Sequence, residues 1–206
     1  MLEYTLEKDL WDSGYEYVCG VDEAGRGPLC GPVVAAAVIL PRGLLIEGLN
    51  DSKKLTAKKR EALYDAICES AIAYAIEEGS VEEINSTNIL EATMSAMRRA
   101  VEKLSQKADF ALIDGNIARG FTISAKPVIG GDAKSPSIAA ASILAKVTRD
   151  RLCVQMDKDF PMYGIAKHKG YGTKDHMNAL RTYGAEPSIY RTKFIRFLND
   201  EKDENG

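Results

Sequence analysis

Apolar residues in this chain fall into short runs separated by polar or glycine-rich stretches, and the spacing within each run predicts the element it forms. Val18 to Val21 reads as a buried strand that stops at two adjacent acids, Asp22 and Glu23. Gly25, Arg26, Gly27 and Pro28 follow, leaving the backbone bare enough to approach a ligand closely. Gly31 to Leu40 is then a continuous run of Val, Ala, Ile and Leu, long enough for a second buried strand, and Pro41 with Gly43 ends it. Together these predict a hairpin with its acids and exposed backbone at one end.

Helical spacing begins after Thr56, with Leu63, Ala66 and Ile67 on one side. A strand is expected from Ala71 to Ile76, where Ile72, Tyr74 and Ile76 alternate with alanines. Asn88 to Gln106 predicts a long helix presenting Met94, Met97, Val101 and Leu104. Phe110 to Ile113 has the unbroken apolar character of a parallel strand and ends in Asp114. A weaker strand, Ala125 to Ile129, runs into Gly130, Gly131 and Asp132, so three strand-like runs close on an acid. Ser135-Pro136 opens a small-residue helix reaching about Met156. A glycine-punctuated loop then carries Lys167, His168, Lys169 and Tyr171, and a last helix spans Thr173 to about Tyr183. This order predicts an α/β chain with a mixed sheet. Residues 1–17 form a short lead-in, 18–198 one domain whose C-terminal part is helical from about 173, and 199–206 an acidic tail.

Composition narrows the class. With 206 residues, 45% hydrophobic, the chain suits one globular domain. No apolar run reaches the ~18 residues a membrane span needs, and the N-terminus is too acidic and polar for a signal peptide. A soluble, cytoplasmic monomer is expected. The four cysteines form no CxxC pair and sit in apolar patterns, as reduced core thiols do. The two histidines, His168 and His176, have the spacing of neither a zincin helix nor a finger. The net charge of −3 is that of the last seven residues alone, DEKDENG, whereas Lys146 to Arg196 holds eleven Lys and Arg against five Asp and Glu. A one-sided basic excess can track a phosphate backbone, although a solvated helix surface also produces one.

Ligands of such sheets gather beyond strand ends, where Asp22, Glu23, Asp114 and Asp132 could converge. Converging carboxylates repel, and hard divalent cations relieve the repulsion because Mg²⁺ and Mn²⁺ prefer oxygen ligands. Two such ions can activate a water and stabilise the leaving oxygen in phosphodiester hydrolysis. Any single strand-end aspartate more often only closes a turn. Adjacency adds a constraint: neighbours on a regular strand face opposite sides, so Asp22 and Glu23 share a site only if the strand breaks or Glu23 uses its carbonyl. A nucleotide loop at Gly25, Gly27 and Gly31 has the wrong spacing and precedes a strand. A non-catalytic nucleic-acid-binding module would explain the basic third but not the acids.

The segments GVDEAGRGPLCGPVVAAAVIL, LNDSKKL, LIDGN, ASILAKVTRDR and HKGYGT, in this order and spacing, resemble bacterial ribonuclease HII. The resemblance implies a ribonuclease H-like five-stranded mixed sheet flanked by helices, and an endonuclease for RNA/DNA hybrids and single ribonucleotides in duplex DNA. It implies Asp22, Glu23, Asp114 and Asp132 as ligands of two Mg²⁺ or Mn²⁺ ions. Gly25, Arg26 and Gly27 would meet the ribose 2′-hydroxyl through their backbone. Tyr171 would pack on the sugar beside the scissile bond, and Lys53 and Lys169 would contact phosphates. The chain departs from the family pattern at Gly130-Gly131 and from Arg191 to Leu198. It has no room for the additional N-terminal domain of ribonuclease HIII.

Overall fold

The computed structural model describes residues 2–50 and 55–198. In chain order these form α1 (Thr5–Asp12), β1 (Val18–Ala24), β2 (Val33–Ile39), α2 (Ala57–Ser70), β3 (Ala73–Gly79), α3 (Val81–Ser86), α4 (Ile89–Glu102), β4 (Phe110–Asp114), β5 (Ser124–Val128), α5 (Pro136–Asp159), α6 (Ile165–His168) and α7 (Lys174–Tyr183). The sheet order is β3-β2-β1-β4-β5. The hairpin side, β1 to β3, pairs antiparallel, while β1, β4 and β5 run parallel. This is the expected mixed five-stranded sheet flanked by helices.

The two faces of the sheet are covered by different helices, and the period of two along each strand sorts the side chains between them. Cys19, Val21, Ala35, Ala37 and Ile113 meet Met94, Met97, Val101 and Leu104 of α4. Val34, Ala36 and Val38 meet Ile143, Leu144 and Val147 of α5 and Ile67 of α2. β2 is therefore buried on both sides, which explains its uninterrupted apolar sequence. β3 runs from Ala73 to Gly79 rather than from Ala71 to Ile76, with Ala73 buried and Ile72 and Tyr74 exposed. It is the sheet edge: Ala73 and Ala75 face α4, and Ile76 packs on the side of α2 and α5.

Helix α5 is 24 residues, about 36 Å long. Ser135 caps it by accepting from the Ile138 amide, and Pro136 occupies its first turn. Its descent onto the sheet depends on Gly20, where a Cβ would lie 2.1 Å from the Ser137 carbonyl carbon and 2.2 Å from the Ile138 nitrogen. The lead-in carries α1, whose Leu6, Leu10 and Trp11 pack beside Val18, Phe110 and Leu112. Its Glu7 is fully buried and accepts from the Ser135 hydroxyl at 2.6 Å and the Ser137 amide at 3.2 Å. After α7 the chain leaves helical structure, makes a lone bridge from Tyr190 to Cys30, and forms one 3-10 turn, Thr192–Phe194. The C-terminal part is thus helical only to Tyr183. No helix among the described residues is long and apolar enough to cross a membrane.

Gly20→Ala is expected to destabilise the fold by about 3 kcal/mol, because backbone atoms of α5 cannot yield as a flexible side chain would. Urea unfolding measures this; an unchanged midpoint would show that α5 can lift from β1 at little cost.

Candidate active site

Pairing of β1 with β4 places Val21 opposite Ile113, so the next residues, Asp22 and Asp114, stand level at the ends of adjacent parallel strands. They share the α5 face of the sheet, since Val18 and Leu112, an even number of positions earlier, pack there together. Asp22 is 4% exposed, accepts from the Glu23 amide at 2.7 Å and is hydrogen-bonded by the Ser142 hydroxyl of α5. Asp114 accepts from the Gly131 amide at 2.7 Å. Burial, then the charges of Glu23 and Asp114, push the Asp22 carboxyl well above the usual carboxylate range. Glu23 is also raised, first by burial; Arg26, at 3.5 Å, opposes the shift and Asp114 adds to it.

The strand does not break at Glu23, because β1 remains paired to β2 through Ala24 and Val34. Both acids nevertheless line one cleft of about 230 Å³ with Gly25, Ser142, Lys146, Arg149 and Tyr171. The β1–β4 ladder ends at Val21, so beyond it the two faces of β1 open into the same space. Asp132 lies in the 3-10 turn Gly131–Ala133, buried, next to Gly131, whose amide donates to Asp114. The structure thus gathers Asp22, Glu23 and Asp114 and sets Asp132 beside them. Among the described residues, no three His, Cys, Asp or Glu side chains already converge as a metal cage. Gly130 has φ +63, a left-handed conformation that glycine adopts without strain.

The glycine loop is held from behind by two buried arginines. Arg191 donates to the carbonyls of Gly25 (2.7 Å), Arg26 (3.0 Å), Pro28 (2.8 Å) and Gly31 (2.9 Å). Arg149 of α5 donates to the carbonyls of Cys30, Pro32 and Lys169. Gly25 has φ +98, and a Cβ there would lie 1.9 Å from Arg149 Nε, so glycine is required twice over. The Arg26 side chain is half-exposed and turns back to Glu23.

Tyr171 is 50% exposed, and its ring lies beside Gly27, where a Cβ would meet Tyr Cε1 at 3.4 Å. The loop bearing it is tied to the glycine loop by the Leu29 amide donating to Gly170 O at 2.8 Å. Two stacked imidazoles support it, with ring centroids 4.1 Å apart. His176 Nδ1 meets the Tyr171 carbonyl at 2.9 Å and Nε2 meets the Tyr190 hydroxyl at 2.8 Å. His168 Nε2 meets the Tyr163 carbonyl, and its Nδ1 accepts from the Gly170 amide. A carbonyl only accepts, so the partners assign protons to His176 Nδ1 and His168 Nε2. Burial lowers the His176 proton affinity and keeps that ring neutral. Lys169, between these groups, has φ +54, the one left-handed non-glycine among the described residues. Lys53 lies outside the described residues.

Sequence reasoning passed over Ser142, Lys146, Arg149, Arg191 and the histidine pair. The first three recur at i, i+4 and i+7 on α5, a polar stripe that begins within the buried small residues of its first half, and that pattern was the available signal. Arg191 carried none, as its loop has no periodicity.

A mixed sheet with acids level at the ends of adjacent parallel strands is the architecture of a ribonuclease H-type hydrolase, and solved structures share it. Ribonuclease H2 from Pyrococcus horikoshii superposes with a TM-score of 0.77 at 26% identity, covering 92% of this chain and all of that one. A ribonuclease HIII (Bst-RNase HIII) solved in complex with Mn²⁺, 18% identical, shares the fold with a TM-score of 0.72, covering 92% of this chain and 71% of its own. The family model of ribonuclease HII matches residues 19–197, and a Burkholderia mallei ribonuclease HII is 59% identical over 84% of this chain and 81% of its own length. On that match the chain belongs to the ribonuclease HII family.

In metal-free buffer, Asp22→Asn is expected to raise the unfolding midpoint, since it removes a buried charge facing two others. A lower midpoint would mean that the carboxylate contributes more through its hydrogen bonds than it loses through repulsion.

Proposed function

We propose that this protein is an endonuclease that cuts the RNA strand of RNA/DNA hybrids and cleaves at single ribonucleotides within duplex DNA, leaving 5′-phosphate and 3′-hydroxyl ends. The observation that carries this reading is the placement of Asp22 and Glu23 in one cleft with Gly25 and Tyr171, with Asp114 level with Asp22 on the adjacent strand and repelling it. The donor set is carboxylate oxygen throughout, which suits Mg²⁺ or Mn²⁺ and no softer ion. Asp22, Glu23 and Asp114 would hold the ions, with Asp132 completing the set from its turn. Two divalent cations there supply an activated water and stabilisation of the leaving oxygen. Ser142 orients the Asp22 carboxylate from one side, while Gly131 fixes one oxygen of Asp114.

Recognition divides between charge and shape. Phosphate contacts position a duplex without telling RNA from DNA, whereas a 2′-hydroxyl must be met by groups at the sugar. The backbone of Gly25, Arg26 and Gly27 and the ring of Tyr171 form one surface beside the acids and suit that task. Lys169 suits phosphates, and the family resemblance assigns Lys53 the same task. A binding module alone would leave the burial of Asp22 beside two other acids without compensation.

The test is cleavage of a duplex with one embedded ribonucleotide. Activity in Mg²⁺ or Mn²⁺ is expected to vanish in EDTA while hybrid binding weakens mainly with salt. Asp114→Asn is expected to lose at least about a hundredfold in turnover with binding retained; near-normal turnover in saturating Mg²⁺ would remove it from the metal site.

Tyr171→Ala is expected to lose far more activity on the single ribonucleotide than on a long hybrid. Lys169→Ala should weaken both substrates alike and flatten the salt dependence. Equal losses for Tyr171→Ala on the two substrates would assign the ring to general packing.

A further inference from the structure

We propose that Arg191 is a positioning residue for ribose recognition: its buried guanidinium holds the glycine-loop carbonyls inward so that the Arg26 and Gly27 amides face the substrate. The proposal rests on the reading that this loop meets the 2′-hydroxyl. Arg191 has no exposed surface, and no carboxylate pairs with it or with Arg149 among the described residues. Burying a guanidinium without a counter-ion is costly unless its donors are satisfied, and here carbonyl oxygens do that. Four of its five N–H groups are taken by Gly25, Arg26, Pro28 and Gly31. Its face lies over the Phe194 ring, 5.3 Å from the centroid.

The geometry of a trans peptide gives this clamp a direction. Within one peptide unit the C=O and N–H point opposite ways. The Gly25 carbonyl shares its unit with the Arg26 amide, and the Arg26 carbonyl with the Gly27 amide. Drawing both carbonyls onto Arg191 turns both amides away from the core, and neither donates to an acceptor among the described residues. A cation on the carbonyl side also polarises each unit, making its N–H a stronger donor to an oxygen. The next amide, Leu29, is already used on Gly170 O, which confines the free pair to the position beside the Tyr171 ring. Lysine would keep the charge but has three donors on a point, not a planar fork that spans four carbonyls.

The experiment measures affinity, with Ca²⁺ replacing the catalytic metal, for a duplex bearing one ribonucleotide and for the same duplex in DNA only. The parent protein is expected to prefer the ribonucleotide, and Arg191→Lys to lose about tenfold of that preference while its affinity for the DNA duplex stays within about twofold. In Arg191→Ala, guanidinium at low millimolar concentration is expected to occupy the vacated carbonyl ring and restore the preference. A folded Arg191→Lys that keeps the preference, or loses affinity for both duplexes equally, overturns the role of Arg191. So does Arg191→Ala refolding with guanidinium without regaining preference. A parent protein with no preference overturns the ribose reading of the loop itself, whatever the variants do.

Discussion

At Gly20 the first turn of α5 meets β1 with no side chain between them, and the rest of the candidate site is spaced from that contact. One turn further along, Ser142 arrives over Asp22; two turns beyond that, Arg149 arrives behind the glycine loop. At the same end as the Gly20 contact, Ser135 and the Ser137 amide receive Glu7 from α1. A helix rises about 1.5 Å per residue, so any shift of α5 along the strand moves all these partners together. The alanines of its first half, fully buried, are what permit so close a seat.

Charge is arranged with equal economy. Carboxylates are buried at the strand ends with like charges for neighbours, and guanidiniums are buried a few residues away with no acid to pair with. At the edge of the acids, Glu23 pairs at 3.5 Å with the half-exposed Arg26. Collapse of the two groups onto each other is opposed because most donors of Arg191 and Arg149 are already spent on backbone carbonyls. The acids therefore keep their affinity for an external cation, and the loop keeps its amides outward. Burial also brings the Arg191 proton affinity down to about 10, still well above neutrality, so the clamp stays charged.

Much of this was legible in the sequence where periodicity speaks. The strands β1, β2 and β4 fall on their apolar runs, β1 continuing through its acids to Ala24, and the runs themselves place Asp22 and Asp114 at the ends of adjacent strands. The edge strand β3 misled because an edge needs only one buried row, and alanines supply it as well as isoleucine does. α1 was hidden by acids, one of which, Glu7, proves to be wholly buried. The region after α7 could not be read, since Tyr190 and Arg191 work through single long-range contacts that leave no pattern in neighbouring residues. Likewise the spacing of His168 and His176 said nothing of their stacking under Tyr171.

The clamp joins residues 160 or more positions apart, with Arg191 close to the end of a 206-residue chain. During synthesis the sheet, its acids and α5 can assemble while the glycine loop still lacks its inner support. The loop cannot take its final shape until the last tenth of the polypeptide is free to fold back. Until the segment bearing Arg191 folds back, a growing chain has its sheet and its acids but not the inner support of the loop beside them.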